Sequence, residues 1–313
     1  MFIKRRALLG ALAAGTAAFS FSQPAAASDD SVRIAILPVD SSMEANYAVT
    51  TGLAQQARLA LTIEQISSGA AILAAIVGGS LDTGNVNTFS ILAAHDRGIP
   101  IVLIAGAVVY APQSWNAALL VAKDSRIQAG ADLNGKTIAI SGLRSLPQYS
   151  AMAWIDKNGG DSKTVRFVEM PIPDMQAGLT AHRFDAASMS EPFASRAAKV
   201  DARILCHVDD GIGTSWLQSA WVTSAAWAAA NPDVLRRFRT MIYRSAAWAN
   251  GHQTQSAEIL SQVSKVDLDV IRTMRRARYA EKEQPQLLEP VIDVALRYGV
   301  IAKRPLARNL FVT

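Results

Sequence analysis

Apolar residues along this chain come in short runs broken by polar turns, and the runs alternate between two spacings. Val32-Arg33-Ile34-Ala35-Ile36-Leu37 reads as a strand, and Pro38-Val39-Asp40-Ser41-Ser42 as the loop behind it. A helical pattern over 43–59 leads to a strand at Leu61-Thr62-Ile63-Glu64, and Ser68-Gly69-Ala70 opens the next helix with Ser68 as its N-cap. Strands are predicted at 81–84 and 99–105, with a helix over 88–97 between them. The order then starts afresh after the apolar run Ala118 to Ala122: a strand ending at Ile140, a loop over 141–147, a helix over 148–158 and a strand over 165–170. Beyond the strand at Trp221-Val222-Thr223 the pattern turns helical, with Asn231-Pro232-Asp233 supplying an N-cap and a first-turn proline. Such alternation predicts an α/β protein whose mostly parallel sheets carry helices on both faces.

One motif occurs twice. Leu73 to Gly84 is a helix end, two glycines, an apolar residue, Asp82 and the start of a strand; Leu179 to Ser188 repeats this around Asp185, 103 positions later. That interval suits two copies of one α/β unit. The expected architecture is two lobes with a cleft between them, the usual place for a small ligand. Lobe one is expected over 28–119 and 222–313, and lobe two over 120–221.

Half of the 313 residues are hydrophobic, enough for a substantial core in about two domains. The N-terminus stands apart: Lys4-Arg5-Arg6, an apolar run to Phe21 and Ala25-Ala26-Ala27 form the three regions of a signal peptide, with cleavage expected near Ala27. Arg5-Arg6 suits a twin-arginine signal and an ordinary basic start equally. Taking its three basic residues from the 31 in the chain leaves 28 against 26 acidic ones, so the excess of +5 belongs largely to that segment. With no basic block left, nucleic acid is not an expected partner. Cys206 is the sole cysteine, which rules out an intramolecular disulfide and a cysteine metal cluster. Its position also rules out a lipid-bearing cysteine at the cleavage site, so the mature chain is expected free in the periplasm.

Ligands of open α/β sheets sit beyond the carboxyl ends of the strands, where helix N-termini converge. Three such turns stand out: Ser68-Gly69-Ala70; Asn85-Val86-Asn87-Thr88; and Ser141 to Ser145. Each offers free backbone N–H groups and the positive end of a helix dipole, a combination that favours an oxyanion. Plain capping needs the same residues, and the sequence supports both readings equally. Asp40, Ser41 and Ser42 form a fourth candidate turn. Arg144, in the loop after a strand, is the candidate for bidentate pairing with a sulfonate, carboxylate or phosphate. Glu191, before Pro192, is the candidate acceptor for a ligand N–H. Trp115, Trp216 and Tyr110 flank the expected crossings between lobes. His95, His182, His207 and His252 show no ligand spacing, and there is no nucleophile elbow or phosphate loop, so neither a catalytic group nor a metal or cofactor is expected.

Taken in order, Ser68-Gly69-Ala70-Ala71, Asp132 to Ala139, Pro171 to Met175, Ser190-Glu191-Pro192-Phe193, Asn231-Pro232-Asp233 and Lys303 to Phe311 resemble the periplasmic substrate-binding proteins of ABC importers for nitrate, sulfonate and taurine. That broad group also contains pyrimidine-precursor binders. Two scaffold positions depart from the pattern: Ala57-Arg58-Leu59 stands where many members carry Gly-Leu, and His182-Arg183 where they carry a glycine. The resemblance implies a two-lobe type II periplasmic-binding fold that closes on one small anion and hands it to an inner-membrane permease. The alternatives are a pyrimidine-precursor binder or a synthase-like enzyme of the same fold, although that enzyme branch carries a cysteine-rich motif absent here. A monomer is expected, and signalling to a membrane sensor stays open beside transport.

Overall fold

The computed structural model describes residues 30–312, so the expected signal peptide lies outside the described residues. Eleven strands follow one another as β1 (Asp30–Ile36), β2 (Leu59–Gln65), β3 (Thr83–Asn87), β4 (Ile101–Tyr110), β5 (Ala117–Ala122), β6 (Thr137–Ile140), β7 (Arg166–Glu169), β8 (Ala186–Ser190), β9 (Ala202–Cys206), β10 (Trp216–Ser224) and β11 (Arg278–Tyr279). Between and after them come α1 (Glu44–Thr50), α2 (Leu53–Gln56), α3 (Gly69–Val77), α4 (Thr88–Asp96), α5 (Leu146–Lys157), α6 (Ile172–Thr180), α7 (Phe193–Val200), α8 (Ala225–Ala230), α9 (Pro232–Gly251), α10 (Gln253–Ser264), α11 (Leu268–Thr273) and α12 (Glu289–Arg297). The strands form two sheets, ordered β11-β4-β10-β3-β1-β2 and β7-β6-β8-β5-β9. In the first, β1 pairs in parallel with β2 and β3, whereas β10 runs antiparallel between β3 and β4. In the second, β6 is parallel to β7 and β8, and β5 runs antiparallel between β8 and β9.

The repeated Asp has the same task in both sheets. Asp82 accepts the amide of Arg33 at 2.7 Å and Asp185 that of Thr137 at 2.8 Å, so each carboxylate ties the start of β3 or β8 to the strand beside it. Gly84, next in the first copy, permits close packing of α3, since a Cβ there would lie 2.4 Å from Ile72. The two departures from the family pattern also find their reason: Arg58 (φ 54°) and His182 (φ 51°) occupy the left-handed region that glycine enters freely. Gly52, at φ 75°, breaks the helix expected over 43–59 into α1 and α2.

Alternation along the second sheet sorts its faces. Leu119, Val121, Ile138 and Ile140 pack with Ala151 and Ile155 of α5, while Ala118, Leu120 and Ala139 join the larger core. The chain changes sheet at 111–116 and 207–215, a little before the positions the sequence suggests, Leu119 and Trp221. The reason is register: Ala117 already pairs with Ser190, and Trp216 with Tyr110.

The C-terminal segment is anchored by a buried ion pair. Asp40 receives Arg276 at 2.8 Å and the Ala277 amide at 2.6 Å, with Tyr47 and Tyr279 packed edge to face beside it. Asp40 is fully buried and the Arg276 side chain is 8% exposed. Removing one partner of such a pair leaves an uncompensated buried charge. Arg276→Leu is therefore expected to lower unfolding stability by about 3–5 kcal/mol, read as a drop in the urea midpoint.

Candidate functional site

Where the two sheets face each other, a cavity of about 120 Å³ opens at the carboxyl ends of their parallel strands. From the first sheet come Leu37, Val39, Ser41 and Ser42 after β1, Ser68 to Ala70 at the start of α3, and Asn85 and Asn87 of β3. From the second come Ser141 to Leu143 and Ser145 after β6, Glu169 at the end of β7, and Ser188 and Ser190 of β8. Asn116 and Asp209 line it from the two crossings, and Gln218 and Ser219 from β10 of the first sheet. A cavity of about 150 Å³ takes a benzene ring, so the enclosed space matches one compact molecule.

Nine of the expected residues are brought together here: Ser41, Ser42, Ser68, Gly69, Ala70, Asn85, Asn87, Ser141 and Ser145. Ser68 caps α3 by accepting the Ala71 amide at 3.3 Å, which leaves the Gly69 and Ala70 amides at the cavity. Gly69 must be small, because a Cβ there would lie 3.1 Å from the Asn87 amide nitrogen. Asn87 caps α4 through Ser90 at 3.0 Å, and its same oxygen accepts the Leu146 amide of α5 at 3.3 Å, bridging the two sheets' sides of the cleft.

Four expected residues are elsewhere. The carboxylate of Asp40 is consumed by Arg276 and Ala277, so this residue positions Ser41 and Ser42 instead of touching the cavity. Thr88 donates its hydroxyl to the Gln218 carbonyl at 3.3 Å. Arg144 is exposed in a left-handed turn (φ 54°), its amide capped by Gln148 at 2.7 Å, and it does not line the cavity. Glu191 is buried and its carboxyl accepts both the amide and the hydroxyl of Ser195, at 3.0 and 2.7 Å. Its backbone holds the sides of the cleft together, taking the Asp40 amide at 2.9 Å and donating to the Asn116 carbonyl at 2.8 Å. The flanking aromatics also pack outside the lining: Trp115 stacks on His207 at 4.3 Å, and Trp216 packs tilted against Tyr110 at 5.5 Å.

The two crossings, with α5 and β10, contribute what the sequence reading missed. Ser150 donates to Asp209 at 2.6 Å, Gln218 donates to the other Asp209 oxygen, and Asn116 donates to the Gln218 oxygen at 2.7 Å. This chain fixes the orientation of the Gln218 amide. Burial, reinforced by Asp210, pushes the Asp209 carboxyl up to about 7 despite the two donors. Among the described residues no Lys, Arg or His lines the cavity; the ionisable groups among them are Asp209, deep inside, and Glu169, at the exposed rim accepting the Leu143 amide at 3.0 Å. Asn85 and Ser219, 3% and 6% exposed, each hold a buried side-chain donor with no partner among the described residues. No cluster of three metal-ligating side chains occurs among the described residues. Cys206 lies outside the cavity lining, and burial raises its thiol pKa, which leaves no thiolate there to act as nucleophile.

Against known proteins, the NMT1/THI5-like family model matches residues 44–256, well over half of the chain. No curated protein sequence matches. Among solved structures, the alkanesulfonate-binding protein SsuA from Xanthomonas axonopodis pv. citri, bound to MOPS, is similar with a TM-score of 0.76 at 21% identity, over 92% of this chain and 99% of that one. The periplasmic nitrate-binding protein NrtA from Synechocystis PCC 6803 gives 0.71 at 11% identity, over 90% and 84%. The desulfurization enzyme DSZB gives 0.66 at 14% identity, over 90% and 96%. The chain belongs to the NMT1/THI5-like family and has the two-lobe fold of the periplasmic binding proteins, a fold that also hosts an enzyme.

Three buried carboxyls give the folded protein an unusual pH response. Burial pushes Glu44 to about 8, and Glu191 and Asp209 to about 7. Each keeps its proton in the folded chain at a pH where the unfolded chain has lost it, so stability is full below the ordinary carboxylate range and declines as pH rises through about 8. Thermal unfolding is expected to shift down between about pH 5 and about pH 8. Glu44→Gln keeps an oxygen for the Trp221 indole N–H and is expected to raise stability at the alkaline end by on the order of 1 kcal/mol or more, flattening that decline.

Proposed function

We propose that this protein is the solute receptor of an ABC importer, exported to the periplasm with residues 1–27 removed, and that its lobes close over one small anion for delivery to a membrane permease. The observation that carries this reading is the cavity, built from both sheets and presenting the N-terminal amides of α3 beside nine serine and asparagine side chains of the two strand-end clusters. Helix N-termini and neutral dipoles hold oxoanions without a counter-cation. The binding of MOPS by SsuA and of nitrate by NrtA, proteins with the same fold, supports a ligand of that kind. Candidate contacts are Ser41, Ser42, Ser68, Gly69, Ala70, Asn85, Asn87, Ser141 and Ser145. On this reading the protein acts as a binder and not as an enzyme, which the sulfonate- and nitrate-binding neighbours support.

One observation favours a second reading. With two carboxyls and no basic side chain in the lining, an uncharged polar ring, such as a pyrimidine precursor, also suits the cavity. Asp209 separates the two. An anion beside this carboxyl favours its protonated form, which donates a hydrogen bond instead of repelling the ligand.

Calorimetry with methanesulfonate across the titration of Asp209 is the test. Binding is expected to weaken about tenfold between about pH 6 and about pH 8, as the proton is lost near pH 7, and to take up a proton above that midpoint. Asp209→Asn should flatten the profile. Binding by a neutral pyrimidine with no pH dependence, and none by the sulfonate, would select the second reading.

A further inference from the structure

Asn85 and Ser219 stand on neighbouring antiparallel strands. Ser219 pairs with Asn87, and Asn85 lies two residues from Asn87 along β3, so all three side chains share one face of the first sheet. All three line the cavity. Asn87 spends its oxygen on Ser90 and Leu146, whereas the Asn85 amide nitrogen and the Ser219 hydroxyl have no partner among the described residues.

Unpaired buried donors are costly to a fold and are rare. Ser219 would be better replaced by alanine if stability alone set the choice, because alanine packs in the same space and has no donor to satisfy. Two such donors on one cavity wall, diagonal neighbours on the same face of β3 and β10, are explained by a partner that arrives from outside the chain.

We propose that Asn85 and Ser219 are a paired anchor for an acceptor oxygen of the bound solute, and that they select compact ligands by hydrogen-bond geometry and not by charge. The Asn85 amide and the Ser219 hydroxyl are neutral donors, so they hold a sulfonyl, carboxylate or carbonyl oxygen alike. Ligand charge is then judged elsewhere in the cavity, at Asp209 on the crossing that leads into β10. The inference rests on the receptor reading above, but not on the ligand being an anion.

Two isosteric probes separate these points: methanesulfonate, which is charged, and dimethyl sulfone, which presents the same S=O oxygens without charge. Affinity for each is measured by calorimetry on the exported, mature protein, alongside its unliganded melting temperature. Ser219→Ala and Asn85→Ala are each expected to weaken the bound probe at least tenfold, while the unliganded Ser219→Ala protein melts no lower than the wild type. Unchanged affinity in Ser219→Ala would overturn the anchor and leave the receptor reading standing. Dimethyl sulfone binding in a Ser219-dependent way, with no response to methanesulfonate, would remove the anion reading and support the anchor. A wild-type protein that binds neither probe would overturn both.

Discussion

A single buried charge pair holds the site in place. Asp40 follows β1 in a tight turn, and its carboxylate takes Arg276 and the Ala277 amide, which are 236 and 237 positions away in the chain. The Tyr279 hydroxyl donates to the Asp40 carbonyl, and the Asp40 amide donates to Glu191 in the other lobe. One residue therefore joins the turn that carries Ser41 and Ser42, the strand β11 at the sheet edge, and the far side of the cleft. Burying two charges costs several kcal/mol of desolvation, and only near-complete hydrogen bonding offsets it. Here the guanidinium also meets Tyr47 and the Gln253 carbonyl, so its donors are spent within the fold. This pair fixes positions more than it adds stability, since a well-packed apolar replacement of both partners often serves stability as well.

The cavity itself works the opposite way, with dipoles in place of charges. An arginine inside a closed cleft of about 120 Å³ would need a carboxylate partner whenever the ligand was absent, and would then compete with the ligand for it. Serine, asparagine and helix amides pay less when left alone and are still oriented before binding. Asp209 fits the same logic: burial keeps its proton near neutral pH, so the deepest ionisable group behaves as another neutral dipole over the lower half of its range.

Much of this was legible before any coordinates. The doubled Asp motif reflected a real equivalence, because Asp82 and Asp185 bind the same backbone position of β1 and β6. Ser68, Asn87 and Ser145 were readable because capping and turn signals act over three or four residues. What stayed hidden was non-local. Ser219 faces Asn87 and Gln218 meets Asn116 only because β10 inserts antiparallel between β3 and β4, a pairing across more than a hundred residues that periodicity does not encode. The same blindness sent Asp40 to the ligand, since its partner lies near the far end of the chain. Arg144 is placed away from the cavity for a local reason: Gln148 caps its amide and the left-handed turn leaves the residue exposed.

Contacts outside the cavity also join the two sides of the cleft. Phe89 of α4 stacks on Tyr149 of α5 at 5.1 Å, Tyr149 faces Tyr298 at 6.2 Å, and the Tyr298 hydroxyl donates to Asp156 at 2.6 Å. Of these, none lines the cavity. A receptor whose binding-competent state is only partly populated binds more weakly by that fraction, so each such contact strengthens apparent affinity without adding to recognition. On the receptor reading, the same contacts would oppose release of a solute. On that reading the aromatic seam at the side of the cleft bears on affinity, while the hydroxyls and amides within it bear on the choice of solute. The two properties can change independently in related chains, which is consistent with one fold serving receptors for a sulfonate and for nitrate.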